Sequence, residues 1–391
     1  MLDPIPPPPE WLQDAVRPFS EYVALPSLPY HIHEVIGAFV FYQLVQSVIS
    51  PMLSSWLFPT IYPKFPRRTK LNWDVHVVSL VQSTLINSVA IWVLFVDKER
   101  KNMNTAEKVF GYNSSCTMIQ ALATGYFLWD LIVSTLHIDI FGIGLFFHAV
   151  SALCVFSLGF RPFVNFYSPI FILYELSSPF LNFHWFFDKV NMTGSRAQWY
   201  NGIILLAVFF SCRLVWGTYQ SVRVFTDIFK ALSQSRGSED LRTPFDIYTM
   251  VFQGRNNTIC IDEACVKASN EISKFAHHQE DGIPLWLVLL YLGSNLILNS
   301  LNFFWFSKMI DTVMKRFRAP AEGKVKQEII PKVVEKEAEA MVLEAAATLE
   351  EEERIFINGG MKDEDVDDRK PMAAPSSAAQ YKGPGTRRRK A

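Results

Sequence analysis

Residues 125–142 read GYFLWDLIVSTLHIDIFG, and residues 143–153 continue as IGLFFHAVSAL. These letters place Asp130, His137, Asp139 and His148 in or beside stretches that are otherwise apolar. About 20 apolar residues suffice for a helix to cross the ~30 Å hydrocarbon core of a bilayer. The stretch therefore predicts two membrane helices joined by a short polar turn.

Similar apolar runs recur along the whole chain, which has 391 residues, is 50% hydrophobic and carries a formal charge of −1. Their length and spacing predict an all-α polytopic membrane helical bundle of about seven transmembrane helices. The first predicted span lies within residues 31–62. The others cover about residues 75–96, 115–136, 140–158, 163–187, 200–222 and 283–307.

The remaining segments are polar. Residues 1–30 begin with a proline cluster and lack the basic stretch that opens a signal peptide, so we expect a flexible lead-in. Residues 226–281 form a polar loop between the last two spans. Residues 319–391 read first as a charged helix and then as a disordered tail. No phosphate-binding glycine loop or nucleic-acid patch is present in the sequence, so we expect no nucleic-acid partner.

The charge of one loop favours an orientation. The loop between the first two spans carries basic residues and no acid, and such loops remain in the cytoplasm. These basic residues are Lys64, Arg67, Arg68 and Lys70. The N-terminus would then be lumenal and the C-terminus cytoplasmic, although the basic residues of the other loops do not decide between the two orientations.

In that orientation the loop 226–281 is lumenal. Asn256 heads a glycosylation sequon there, and Cys260 and Cys265 are candidates for a disulfide. Two cysteines with distant histidines match no metal-ligand spacing, so we predict neither a metal site nor a cofactor.

Several polar side chains fall inside the predicted spans. A charged residue at the centre of a span costs about 2.5–3.5 kcal/mol and usually faces a bundle interior or cavity. We therefore predict an intramembrane polar niche that could receive a lipid headgroup. Its candidate residues are Asp130, His137, His148, Glu175, Ser178, His184 and Arg213.

Glu175 has the most informative surroundings of these candidates. Pro179 lies four residues later and has no N–H, so the carbonyl of Glu175 loses its helical partner and the helix should kink. Arg213 in the next span is the expected counter-charge. The alternative is structural, because buried polar groups also form interhelical hydrogen bonds worth ~0.6 kcal/mol on average without any chemistry.

Five segments together resemble the TLC domain, which ceramide synthases and translocon-associated membrane proteins share. They are LNWDVHVVSLVQSTL, GYFLWDL, LFFHAVSAL, YELSSPFLNFHWFF and LNSLNFFWFSKMIDTVMKRF, in the family's order. The resemblance covers about residues 68–318 and is strongest to TLC-domain-containing transmembrane proteins outside the ceramide synthase branch. It implies a multi-pass protein of the endoplasmic reticulum.

The departures from ceramide synthases concern the residues implied in acyl transfer. The family's His-His pair reads Phe147-His148 here, and its Asp-x-x-Asp pair reads Glu175-x-x-Ser178. Half of each pair is missing, which argues against ceramide synthase activity.

Two functional hypotheses follow. In the first, the protein acts in membrane lipid homeostasis by binding or handling lipid, or a membrane-protein client, without catalysis. In the second, it is a lipid-modifying acyltransferase that uses His148 as the base, with Glu175 or Asp130 as the orienting partner.

Overall fold

The computed structural model describes residues 3–101, 103–237, 270–275 and 284–317, and all regular elements within them are helical. The first helix, α1, is Glu10–Tyr22. Helix α2 runs through Leu28–Leu44, a π-helical stretch Val45–Ile49 and Ser50–Leu57. The next labelled helices are α3 (Arg67–Val96), α4 (Ser114–Leu136), α5 (Ile138–Leu158) and α6 (Ser178–Lys189). Helix α7 comprises Arg196–Phe209, the π-helical Phe210–Trp216 and Gly217–Gly237, and α8 is Leu285–Phe317.

Shorter helical pieces connect these elements. They are the 3-10 helices Tyr62–Lys64, Asn165–Tyr167 and Ile172–Ser177, and the α-helices Lys98–Lys101, Thr105–Phe110 and Ser168–Phe171.

The long helices run alternately up and down the bundle. At its first end, Ser27 hydrogen-bonds the Phe160 carbonyl at 2.8 Å, so the start of α2 meets the end of α5. At its second end, the Trp73 indole N–H donates to Ser54 Oγ at 2.7 Å, so the end of α2 meets the start of α3. Short connections between antiparallel neighbours produce this arrangement.

Six helices of the described residues are long and apolar enough to cross a membrane. They lie in Leu28–Leu57, Arg67–Val96, Thr105–Leu136, Ile138–Leu158, Arg196–Ser233 and Leu285–Asp311. The predicted all-α polytopic bundle is therefore confirmed. The fifth predicted span, at residues 163–187, differs from the other six because it is not one continuous helix.

This fifth segment still runs the length of the bundle. At the first end, Asn165 donates to Gln120 on α4 at 2.7 Å, and at the second end Trp185 packs against Trp73 on α3. Between them the chain is a series of short helices, with Pro169 and Pro179 each in a first turn. Proline supplies no N–H to the preceding turn, which explains why a single α-helix does not form.

The N-terminal lead-in is more ordered than we expected from its prolines. Residues 10–22 form α1, with Pro9 as the residue before the helix, and proline near a helix start costs no hydrogen bond. The predicted polar loop also begins later than expected, because α7 continues to Gly237. Asp227, inside the predicted loop, accepts a 2.6 Å hydrogen bond from Tyr167.

A buried polar network joins α3 to α4 at the first end. Asp97 accepts hydrogen bonds from the Arg100 backbone N–H at 3.2 Å and from the Asn113 amide at 2.9 Å. Burial alone raises the pKa of Asp97, but these hydrogen bonds outweigh it, and the pKa lies below its ordinary value. Asn113 also caps α4 through the Cys116 N–H, so the sequon that it heads is buried.

Helices α2 and α4 approach each other closely at Gly125. A Cβ built there would overlap the Val35 carbonyl oxygen and lie 2.7 Å from the Cβ of Ala38. Small residues permit such close helix contacts in membrane proteins. Gly125 therefore sets the spacing of these two helices.

Candidate functional site

An ion pair lies between the fifth segment and α7. Arg213 Nη2 is 3.6 Å from Glu175 Oε1, and the two side chains are only 8% and 10% exposed. Ser178 donates to Glu175 Oε2 at 2.7 Å and accepts from Arg213 Nη2 at 3.2 Å. The pair therefore has the polar contacts that a buried charge requires.

Arg213 also satisfies the backbone of the irregular fifth segment. Its Nε donates to the Tyr174 carbonyl at 2.9 Å and to Ser177 Oγ at 2.9 Å. Pro179 offers no N–H to the Glu175 carbonyl. Glu175 instead accepts a 3-10 bond from the Ser178 N–H.

The local backbone of α7 positions this arginine. Arg213 lies in the π-helical stretch Phe210–Trp216, where one extra residue per turn changes the direction of the side chains. Gly217 follows directly, and a Cβ there would come within 2.6 Å of the Tyr174 ring. The small residue lets α7 lie against the fifth segment.

A cavity of about 30 Å³, counted as space open to the centre of a water molecule, borders the ion pair. One water needs roughly 10–15 Å³ on this measure, so the space suits two waters or one small polar group. Its polar lining comes from His148, Tyr174, Glu175, Arg213, Asn295 and Asn302. Its apolar lining comes from Phe127, Ala152, Val155, Phe156, Phe171, Ile172 and Leu298.

His148 enters the cavity from α5. Its ring contacts Phe127 and Trp305, with centroid distances of 6.1 and 5.6 Å. Its Nδ1 atom is buried and has no hydrogen-bond partner among the described residues. Phe147, the other half of the altered His-His pair, is 48% exposed and does not line the cavity.

The structure separates the other candidate residues from this cavity. Asp130 lies within electrostatic range of Glu175 but is not part of the lining. His137 lies in the turn between α4 and α5, where its carbonyl accepts from the Ile140 and Phe141 N–H groups. His184 is buried beside Gln198 near the second end, with an N–N distance of 3.4 Å.

A row of asparagines on α8 completes the site. Asn302 accepts from Arg213 Nη1 at 3.1 Å, and Asn299 donates to Ser221 on α7 at 2.9 Å. Asn295 accepts from Asn299 at 3.0 Å. Our sequence reasoning missed them because this span carries no charge. Their spacing of four and then three residues places them on one helix face and is the signal that would have identified them.

The candidate disulfide Cys260/Cys265 and the candidate glycosylation site Asn256 lie outside the described residues. The same is true of the predicted tail at residues 319–391.

Comparison with protein families matches residues 72–311 to the TLC domain. The chain is 34% identical over 306 residues to a TLC domain-containing protein of Schizosaccharomyces pombe, covering 78% of this chain and 86% of that protein. It is 27% identical over 297 residues to Topoisomerase I damage affected protein 4 of Saccharomyces cerevisiae, covering 74% and 87%. Human TLC domain-containing protein 4 is 30% identical over 168 residues, covering 41% of this chain and 62% of that protein.

No solved structure matches the chain. The relatives are TLC domain-containing proteins rather than ceramide synthases, as the sequence resemblance predicts. The family match spans the second to the last of the long apolar helices, and it includes the Glu175–Arg213 ion pair and the cavity beside it. The chain therefore belongs to the TLC-domain family and is an integral multi-pass membrane protein.

Proposed function

We propose that this protein acts in membrane lipid homeostasis, in the endoplasmic reticulum, by binding the polar group of a lipid between the fifth segment, α5, α7 and α8. A hydrophobic membrane-protein client with a small polar group would use the same contacts. The proposal does not include catalysis.

One observation carries this proposal. His148, whose Nδ1 atom has no hydrogen-bond partner among the described residues, lines a cavity that also borders the Glu175–Arg213 pair, while the rest of the wall is largely apolar. Ligand sites combine an apolar lining with a few placed polar groups in this way. Intramembrane ionisable groups also mark functional sites more often than chance.

The volume of the cavity restricts what enters. Space for two waters admits a hydroxyl, carbonyl or amide group, whereas a whole phosphate headgroup would have to move the cavity walls apart. We therefore expect the bound part of the lipid to be a small uncharged polar group near the acyl chains. His148 and Asn302 are the groups placed to hydrogen-bond it.

The acyltransferase hypothesis remains the second candidate, because His148 and Glu175 line the same cavity. A general base needs an orienting partner within about 2.6–3.2 Å. Among the described residues no hydrogen bond links His148 to Glu175 or Asp130, and the Glu175 carboxylate is engaged by Ser178 and Arg213. This arrangement favours binding over acyl transfer.

The test is quantitative lipidomics on cells that lack the protein and are complemented at matched expression with wild type, His148→Ala, Glu175→Gln or Phe147→Ala. Phe147→Ala is the control for its neighbour, because Phe147 lies outside the cavity. Under the binding proposal we expect broad, modest lipid changes in the deletion. The two cavity variants should restore them only in part, and the control variant fully.

Two results would decide against the proposal. If one lipid species is lost in the deletion and membrane-inserted His148→Ala does not restore it, the protein is an enzyme that uses His148. Full rescue by both cavity variants would make these residues purely structural.

A further inference from the structure

Three ionisable side chains meet at the first end of the bundle, away from the cavity. They are Asp3 from the N-terminal segment and His31 and Glu34 from the first turns of α2. His31 Nδ1 is 3.3 Å from Asp3 Oδ2 and 3.1 Å from Glu34 Oε2. One potential ligand atom from each residue lies within 4.8 Å of the other two.

This cluster is buried and its charges are not balanced within it. The side chains of Asp3, His31 and Glu34 are 11%, 4% and 1% exposed. Glu34 Oε1 is buried with no hydrogen-bond partner among the described residues, and His33 Nε2 lies 3.8 Å from it, whereas the other oxygen, Oε2, is 3.1 Å from His31 Nδ1. Two carboxylates this close need a compensating positive charge, either protons or a cation.

We propose that Asp3, His31 and Glu34 bind one divalent transition-metal cation, of the Zn²⁺ or Mn²⁺ class. One imidazole nitrogen and two carboxylate oxygens form a ligand set that suits these ions. Bonds of about 2.1 Å at tetrahedral angles hold ligand atoms roughly 3.4 Å apart. The two separations between His31 and the carboxylates are close to this value. A water would complete the coordination.

The groups around the ligands hold them in place. The second ring nitrogen of His31 is 2.7 Å from the Tyr112 hydroxyl, which leaves Nδ1 free to face the carboxylates. Metal-binding histidines characteristically use their other nitrogen in such a bond. Asp3 is anchored by its backbone N–H to Ser114 Oγ at 3.2 Å, and its Oδ1 accepts from Ile5, so Oδ2 faces His31.

Sequence spacing did not reveal this site. His31 and Glu34 are three residues apart on one helix face, but Asp3 joins them only through the fold. The metal would fasten the N-terminal segment to α2 and, through Tyr112, to the start of α4. This role is independent of lipid binding at the cavity.

The experiment uses full-length protein in lipid nanodiscs, with an affinity tag at the C-terminus that contains no histidine. The protein is stripped with a chelator, loaded with Zn²⁺ or Mn²⁺, desalted and analysed for metal content by mass spectrometry. We expect about one metal ion per chain for wild type. Asp3→Asn should bind at least ~10-fold more weakly, and Tyr112→Phe about 10-fold more weakly.

Asp14→Asn is the matched control, because Asp14 is a 69% exposed acid on α1 with no place in the cluster. Substitutions of His31 or Glu34 change α2 itself and could disturb folding. Asp3 lies outside the described helices, so Asp3→Asn is the variant that decides. Metal content in Asp3→Asn equal to that of wild type would overturn the proposal. The proposal would also be overturned if wild-type protein retained no metal and Zn²⁺ left its melting temperature unchanged. Protons would then balance the negative charge of the two carboxylates.

Discussion

Arg213 serves two kinds of acceptor at once, the carboxylate of Glu175 and the backbone carbonyl of Tyr174. Removing the arginine leaves a buried negative charge and takes a 2.9 Å hydrogen bond away from the Tyr174 carbonyl. Removing the carboxylate leaves the arginine with neutral acceptors still in place. The two residues of the pair are therefore not equivalent for stability.

We predict that Arg213→Gln lowers the free energy of unfolding by about 3 kcal/mol, since breaking a buried pair from one side costs on the order of 3–5 kcal/mol. Glu175→Gln should cost clearly less. The double variant should be more stable than Arg213→Gln alone, because no buried charge remains. Thermal unfolding of purified protein in nanodiscs measures all three, and simple additivity of the two single losses would contradict this account.

At the scale of elements, the close contact between α2 and α4 depends on one missing Cβ. Gly125→Ala should destabilise the protein by roughly 1–3 kcal/mol, because the new methyl group meets the α2 backbone at Val35 and forces α2 and α4 apart. The measurement is again the unfolding midpoint in nanodiscs.

Gly37→Ala is the control for that change. Gly37 lies on α2 as well, but a Cβ there meets no atom within 4 Å among the described residues. Alanine is the better helix former, so this variant should be neutral or slightly more stable. Equal destabilisation by both substitutions would show that helix spacing at Gly125 is not the cause.

At the scale of the whole molecule, the described residues contain six continuous long helices and the broken fifth segment, which together make an odd number of passages. The start of α2 and the described end of α8 therefore lie at opposite ends of the bundle. Two sequons report on which end is lumenal. Asn191 is exposed at the second end, and Asn256 follows α7, which runs toward the first end.

With a lumenal N-terminus, we predict that Asn256 carries a glycan and Asn191 does not. Asn256→Gln should then abolish the mass shift that glycosidase treatment produces on a gel, and Asn191→Gln should leave it intact. A glycan on Asn191 and none on Asn256 would show the opposite orientation, with a cytoplasmic N-terminus. The buried Asn113 should carry no glycan in either case.

Much of this architecture could be predicted because long apolar runs report directly on membrane helices. The polar niche could also be predicted, because charged side chains inside such runs require polar partners from neighbouring helices. Its members include Glu175, Ser178, His148 and Arg213. The irregular backbone was harder to predict. Pro179 indicates a kink, but only the packing of α7 decides that the Tyr174 carbonyl is the one to which Arg213 donates.

Residues outside the charged set escaped prediction for two reasons. Asn302 is uncharged, and helical periodicity alone does not distinguish an amide that accepts a hydrogen bond from Arg213 from an amide on the surface. Asp3, His31 and Glu34 meet only because the N-terminal segment folds back onto Ser114, a contact between residues 111 positions apart. Contacts of that range leave no local sequence pattern.

The Glu175–Arg213 pair also constrains how the chain enters the bilayer during synthesis. Segment 163–187 carries a carboxylate, lacks a continuous helix and would leave backbone carbonyls exposed to hydrocarbon if it partitioned alone. The arginine that satisfies both defects is made some 40 residues later, on α7. We therefore expect the fifth segment and α7 to enter the bilayer together, with the charges of Glu175 and Arg213 already paired.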